Sequence, residues 1–225
     1  MCKFFFLDLG GASLPLHTFF LTLEFLVLFV LFPLLIYFRL LPNYPIPYLL
    51  AAALASFLIL RVDPSFSLSI LSTWGNVRPF LAGLLLRDAL CLLGLAVAVC
   101  LFAPDLLFSL FRRSPYLWLL IFFLYPLLSV YPQELLYRAF FFHRYQPLFG
   151  YGWGMLLASA LAFGFAHIVL RNWLAVGLCV IGGLLFSLTY FFSGSLLLAC
   201  LDHAIFGNFL FTIGLGEFFY HRLRP

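Results

Sequence analysis

The sequence predicts an all-α fold, a polytopic integral membrane helical bundle of about seven (six to eight) transmembrane helices. Three observations carry this. Hydrophobic residues make up 65% of the chain and charged residues 9%, whereas a soluble domain carries about a quarter charged residues. Mean hydropathy is +1.14. The apolar residues also fall into runs of about 15–24, punctuated by proline, glycine and charged clusters. At about 1.5 Å per residue such runs cross, or with tilt and interfacial flanks nearly cross, a hydrocarbon core about 30 Å thick.

Taken in order, residues 1–17 read as a short amphipathic lead. Met1-Cys2-Lys3-Phe4-Phe5-Phe6-Leu7 is faintly like a signal peptide. Asp8 and Gly10-Gly11 cut its apolar run short, so no cleavage is expected. The first strong span covers residues 18–41 and holds one acid, Glu24; Pro42-Asn43-Tyr44-Pro45 is a turn. A short run at 46–60 ends at Arg61-Val62-Asp63-Pro64, and 65–80 mixes Ser, Leu, Trp74, Asn76 and Arg78 as a surface or re-entrant segment. A third span, 81–102, carries Arg87-Asp88 in its first turns, read as an ion pair, with a substrate contact as the alternative. Pro104-Asp105 breaks the chain, and 106–113 is an interfacial helix ended by Arg112-Arg113.

Ser114-Pro115 opens a span at 116–130, followed by a separate helix at 131–149 whose end, His143-Arg144-Tyr145-Gln146-Pro147, suits an interface. After the turn Gly150-Tyr151-Gly152-Trp153-Gly154 comes a span at 155–170, rich in Ala and Gly and so able to pack closely. Spans at 174–192 and 196–213 are joined by Ser193-Gly194-Ser195, and a charged, aromatic tail follows. The chain reads as one membrane domain, 1–225, with no convincing repeat. The many phenylalanines read as lipid-facing bulk, and His17, His143 and His221 as interfacial.

The net charge of +4 speaks to membrane topology. Nucleic acid is not an expected partner, because basic residues are not clustered. Five cysteines (Cys2, Cys91, Cys100, Cys179, Cys200) show no CxxC or zinc spacing, and four lie in apolar runs as small hydrophobes. Met-Cys at the start matches no acylation motif.

Three polar islands interrupt the apolar spans. The first is Gln133-Glu134 with Arg138, where Glu134 and Arg138 lie one helical turn apart and can pair. The second is His167 in Phe163-Gly164-Phe165-Ala166-His167, and the third is Asp202-His203 with Asn208. Ionisable groups at membrane depth are expensive and mark function. A glutamate can take a proton from water, a histidine can orient that water or protonate a leaving amine, and a second histidine and an asparagine can donate to the oxyanion of a tetrahedral intermediate. The expected catalytic residues are Glu134, His167, His203 and Asn208, supported by Gln133, Arg138 and Asp202.

The same residues resemble the motifs of the CPBP family, intramembrane endopeptidases related to the type II CAAX prenyl protease and to bacteriocin-processing and self-immunity (Abi-type) proteins. That family shows Glu-Glu-x-x-x-Arg, Phe-x-x-x-His and His-x-x-x-Asn on successive membrane helices. Here these read Gln133-Glu134-x-x-x-Arg138, Phe163-x-x-x-His167 and a third motif beginning at His203. The resemblance covers residues 131–216 as a catalytic-motif core. It implies a glutamic-type, membrane-embedded protease that hydrolyses a peptide bond of a membrane-anchored or lipid-borne protein substrate. It also implies a multi-pass location in the bilayer, expected to be the bacterial inner membrane.

Two departures stand out. Gln133 replaces the family's first glutamate, the expected base, so either Glu134 supplies the carboxylate or the chain is an inactive homologue. The residue four after His203 is Gly207, with Asn208 one further; a π-bulge would restore Asn208 to the site, and Asp202 is the alternative partner for an imidazole. No cofactor is expected. Zinc held by Glu134, His167 and His203 is the alternative ligand set. The competing functions are a non-catalytic membrane chaperone or immunity factor that binds a hydrophobic peptide, and a transporter with a Glu/His proton relay, which the lack of visible repeats disfavours.

Overall fold

The computed structural model describes residues 13–74 and 78–219. The signal-like opening with Cys2, Asn76, and His221 lie outside the described residues. Among the described residues six helices are long and apolar enough to cross a membrane: α1 (Leu16–Tyr37), α2 (Pro45–Val62), α3 (Arg78–Phe102), α4 (Pro115–Arg144), α5 (Trp153–Leu170) and α6 (Trp173–Ser193). A shorter apolar helix, α7 (Leu196–Thr212), completes the bundle. The expected all-α membrane bundle is the observed one.

The breaks follow local chemistry. Gly194 ends α6 in the left-handed conformation at φ 63°, which glycine adopts without a Cβ penalty. Ser195 then caps α7, its hydroxyl accepting from the Leu198 N–H at 3.1 Å. Asn172 caps α6 in the same way through the Ala175 N–H, also at 3.1 Å. The segment expected at 65–80 contains one 3₁₀ turn, Leu68–Leu71.

One element differs from expectation. The separate helices predicted at 116–130 and 131–149 are a single rod of 30 residues, α4, despite Pro126 and Pro132 inside it. A proline removes one ladder hydrogen bond and crowds the preceding turn. Here the ladder widens into π turns at Pro126–Val130 and Leu135–Phe140, and the rod continues. Ser159 of α5 donates to the carbonyl of Tyr137, inside the second wide turn, at 2.7 Å.

The core lies among α4, α5, α6 and α7, while α3 is the least buried span and turns Leu85, Leu86, Leu90 and Leu93 outward. Close approach of α5 and α6 rests on small residues. A Cβ on Gly183 would stand 3.1 Å from Ala160 Cα, and one on Gly164 would run into Val180. The phenylalanines are not all lipid-facing bulk: Phe140, Phe141 and Phe163 are fully buried, because aromatic faces fill the space that the small residues open. Among the cysteines Cys179 is buried, whereas Cys100 faces outward from α3. Polar ties hold the last turn of α4 and the residue after it to α1 and to the end of α2. Arg144 and Tyr145 hold Glu24 of α1 at 2.7 and 2.9 Å, and His143 holds Asp63 at 2.9 Å.

Candidate active site

Helix α4 presents two adjacent stripes. Tyr125, Ser129 and Gln133 recur every fourth residue, so they share one face. That face lines a chamber of about 1210 Å³ walled mainly by apolar side chains, with residues from all seven helices. One residue further round, Glu134 and Arg138 point into the bundle and are fully buried. The one-residue difference between Gln133 and Glu134 therefore separates the chamber wall from the protein interior.

The interior stripe meets α7. Glu134 Oε1 stands 2.7 Å from His203 Nδ1. A carboxylate accepts, so Nδ1 carries the proton, and the other ring nitrogen is left to accept. That nitrogen, Nε2, lies 3.0 Å from the Tyr125 hydroxyl, which donates to it. The imidazole is held flat against Phe186, with ring centroids 4.4 Å apart and planes at 15°. His203 borders the chamber and Glu134 does not, so the histidine stands between the carboxylate and the open volume.

Arg138 balances Glu134 from the next turn. Its Nε is 3.1 Å from Glu134 Oε2, an ion-pair contact whose angles are not those of a hydrogen bond. Its Nη2 donates to the Gly183 carbonyl at 3.2 Å, and its guanidinium carbon lies 5.0 Å from the centroid of Phe163. Gly183 thus does two things: it brings α6 close to α5 and it turns a carbonyl to the arginine.

His167 ends the α-helical part of α5, where the chain tightens into a 3₁₀ turn, His167–Leu170. Its Nδ1 donates to the Phe163 carbonyl at 2.7 Å, which leaves Nε2 as an acceptor. It lines the same chamber as His203, and the Phe163 ring lies against both imidazoles, at 4.8 and 5.5 Å. Gln133 lines that chamber too. Its amide nitrogen donates to Ser129 at 2.8 Å, and its buried oxygen has no hydrogen-bond partner among the described residues.

Two expected members stand apart. Asn208 does not reach His203, because α7 runs as regular α-helix through it with no bulge to turn it back; its amide donates to the Phe122 carbonyl at 3.2 Å. Asp202 does not orient an imidazole. Its Oδ2 accepts from Arg87 at 2.6 Å and from Thr189 at 2.5 Å. Arg87 also holds Asp88 at 2.6 Å, so the predicted ion pair exists and extends across to α7. Tyr125 was not singled out in the sequence, since a tyrosine closing an aromatic run reads as bulk; its spacing of four from Ser129 and eight from Gln133 was the available signal.

Among the described residues no group of three or more His, Cys, Asp or Glu side chains is arranged to hold a metal ion. Glu134 Oε1 and His203 Nδ1 face each other across a hydrogen bond instead of converging on a common point.

Fold and site together define a multi-pass integral membrane protein with a carboxylate–imidazole pair buried beside an apolar chamber. Residues 114–209 match the family model described as Rce1-like, type II CAAX prenyl endopeptidase Rce1-like. That segment is thus similar to a CAAX-type membrane protease family, in line with the resemblance read from the motifs. The matched segment contains all three polar islands. No curated protein and no solved structure matches the chain.

Proposed function

We propose that this protein is an intramembrane endopeptidase that hydrolyses a peptide bond of a membrane-anchored or lipid-borne protein, using water directly and no covalent intermediate. The observation that carries the reading is the 2.7 Å hydrogen bond from His203 Nδ1 to Glu134, with Nε2 turned to the chamber side. His203 Nε2 takes a proton as the water oxygen bonds to the scissile carbonyl carbon. The resulting imidazolium is stabilised by Glu134, which acts through the histidine. Nε2 then returns the proton to the amide nitrogen, the C–N bond breaks, and the water's second proton stays with the new carboxyl group. His167, its Nδ1 fixed on Phe163, offers Nε2 to orient the water. Arg138 holds the Glu134 carboxylate in line. The apolar walls suit a substrate that arrives through the lipid.

The test compares membrane peptides in cells carrying the native protein, Glu134→Gln, His167→Ala or no protein. A processed terminus present only with the native chain is expected and would name the substrate. The same terminus at full yield in both variants, each inserted and folded, would overturn the reading.

A second reading has its own observation. The motif position that faces the chamber holds the amide Gln133, not a carboxylate. A non-catalytic chaperone or immunity factor binding a hydrophobic peptide needs no base there. On that reading Glu134→Gln leaves the cellular phenotype intact, and no processed terminus depends on the protein.

A further inference from the structure

His203 begins a motif whose family pattern has a hydrogen-bonding residue four positions on, and this chain has Gly207 there. The space that a side chain at 207 would occupy is not empty. A Cβ built on Gly207 would collide with the Tyr125 ring and its hydroxyl. Gly207 is buried, and the atoms that a Cβ would meet belong to a rigid ring. In its observed position Tyr125 therefore leaves no room for a side chain at 207. The hydroxyl occupying that space is 3.0 Å from His203 Nε2 and belongs to the chamber wall. Asn208, the other candidate donor, is engaged with Phe122.

We propose that Tyr125 is a catalytic residue of this protein: its hydroxyl, reaching from α4 into the space left by Gly207, donates the hydrogen bond that stabilises the oxyanion. This rests on the hydrolytic reading above. In the resting site the O–H donates to His203 Nε2. When water and substrate enter, Nε2 accepts from the water, and the released O–H turns to the carbonyl oxygen as charge develops there. No bond to Tyr125 forms or breaks. A phenol suits the task because it donates at membrane depth without bringing a charge.

The test uses the full chain in lipid vesicles and the peptide whose processed terminus the cellular comparison identifies. Tyr125→Phe keeps the ring and removes only the donor. It should lower kcat by about 10²–10³-fold, the effect of losing one oxyanion donor, with KM little changed. Gly207→Asn alone should lower thermal stability through the collision. Tyr125→Ala/Gly207→Asn should recover that stability and cleave at least about tenfold faster than Tyr125→Ala, since the amide then enters the vacated space. Tyr125→Phe within about threefold of native kcat would overturn the proposal, as would a Gly207→Asn protein of native stability. A native protein that cleaves nothing would remove the hydrolytic reading and this one together, whereas a cleaving native protein with a fully active Tyr125→Phe removes this one alone.

Discussion

Neutralising Glu134 alone should harm the fold more than neutralising Glu134 and Arg138 together. Both side chains are fully buried, with Arg138 Nε 3.1 Å from Glu134 Oε2. At an effective dielectric of about 20, unit charges 3.1 Å apart attract by about 5 kcal/mol. Glu134→Gln preserves shape and an acceptor for His203, so the principal loss is the charge. Arg138 would keep the Gly183 carbonyl and the faces of Phe163 and Phe186, contacts worth about 0.5–2 kcal/mol each. Breaking a buried pair from one side typically costs about 3–5 kcal/mol, whereas exchanging both members for uncharged groups of similar volume is often near neutral. Glu134→Gln should therefore lose about 3–5 kcal/mol, and Glu134→Gln/Arg138→Met no more than about 2. Reversible unfolding by dodecyl sulfate titration in mixed micelles, followed by tryptophan fluorescence, measures both. A double variant as destabilised as the sum of the two single variants would refute the reasoning, because the charges would then not be interacting.

Three further outcomes are expected. Gln133→Glu puts a carboxylate on the chamber wall and should raise cleavage of the identified peptide, read as initial rate; a rate unchanged or lowered would mean that the wall position has no part in activating water. Gly164→Ala sets a methyl against Val180, whose backbone nitrogen would be 3.0 Å away, and should cost about 1–3 kcal/mol in the same unfolding assay. Asp63, just beyond α2, is pushed upward by burial, but hydrogen bonds from Ser65 and His143 outweigh this and hold its carboxyl down from 3.8 to about 2. A depressed carboxyl contributes stability above its unfolded value, and that stability is lost as pH falls through the folded one. Between pH 3.8 and about 2 the native protein should thus lose more stability than Asp63→Asn, measured by thermal unfolding across that range.

The spans were legible because apolar run length and turn residues are local properties. Gly194 with Ser195, and the Ala/Gly content of α5, could be read where they stand. The union of 116–130 with 131–149 was not, because Pro126 and Pro132 normally end helices, and whether a ladder can widen around them depends on neighbours such as Ser159. Among the site residues, Glu134, His167 and His203 were visible as polar groups in apolar sequence, and the structure brings them to one region. Asn208 and Asp202 were equally visible, but their partners, the Phe122 carbonyl and Arg87, lie 86 and 115 residues away in sequence. Tyr125 escaped notice because its polarity resides in one atom at the tip of an aromatic ring.

The unbroken length of α4 has a consequence for reach. Thirty residues make a rod about 45 Å long, half again the hydrocarbon thickness, so its last turns belong to the headgroup layer or the rod lies strongly tilted. The His143–Asp63 tie, at the ends of α4 and α2, suits that layer. Counted back along the rod, Glu134 is nine positions away, about 14 Å, close to half the thickness of the core. A peptide bond carried on a loop in water would have to shed its hydration over that distance to meet His203. On the proposed hydrolytic reading, one tethered to an apolar anchor would already travel at that depth, so the membrane itself would discriminate between substrates before any side chain does.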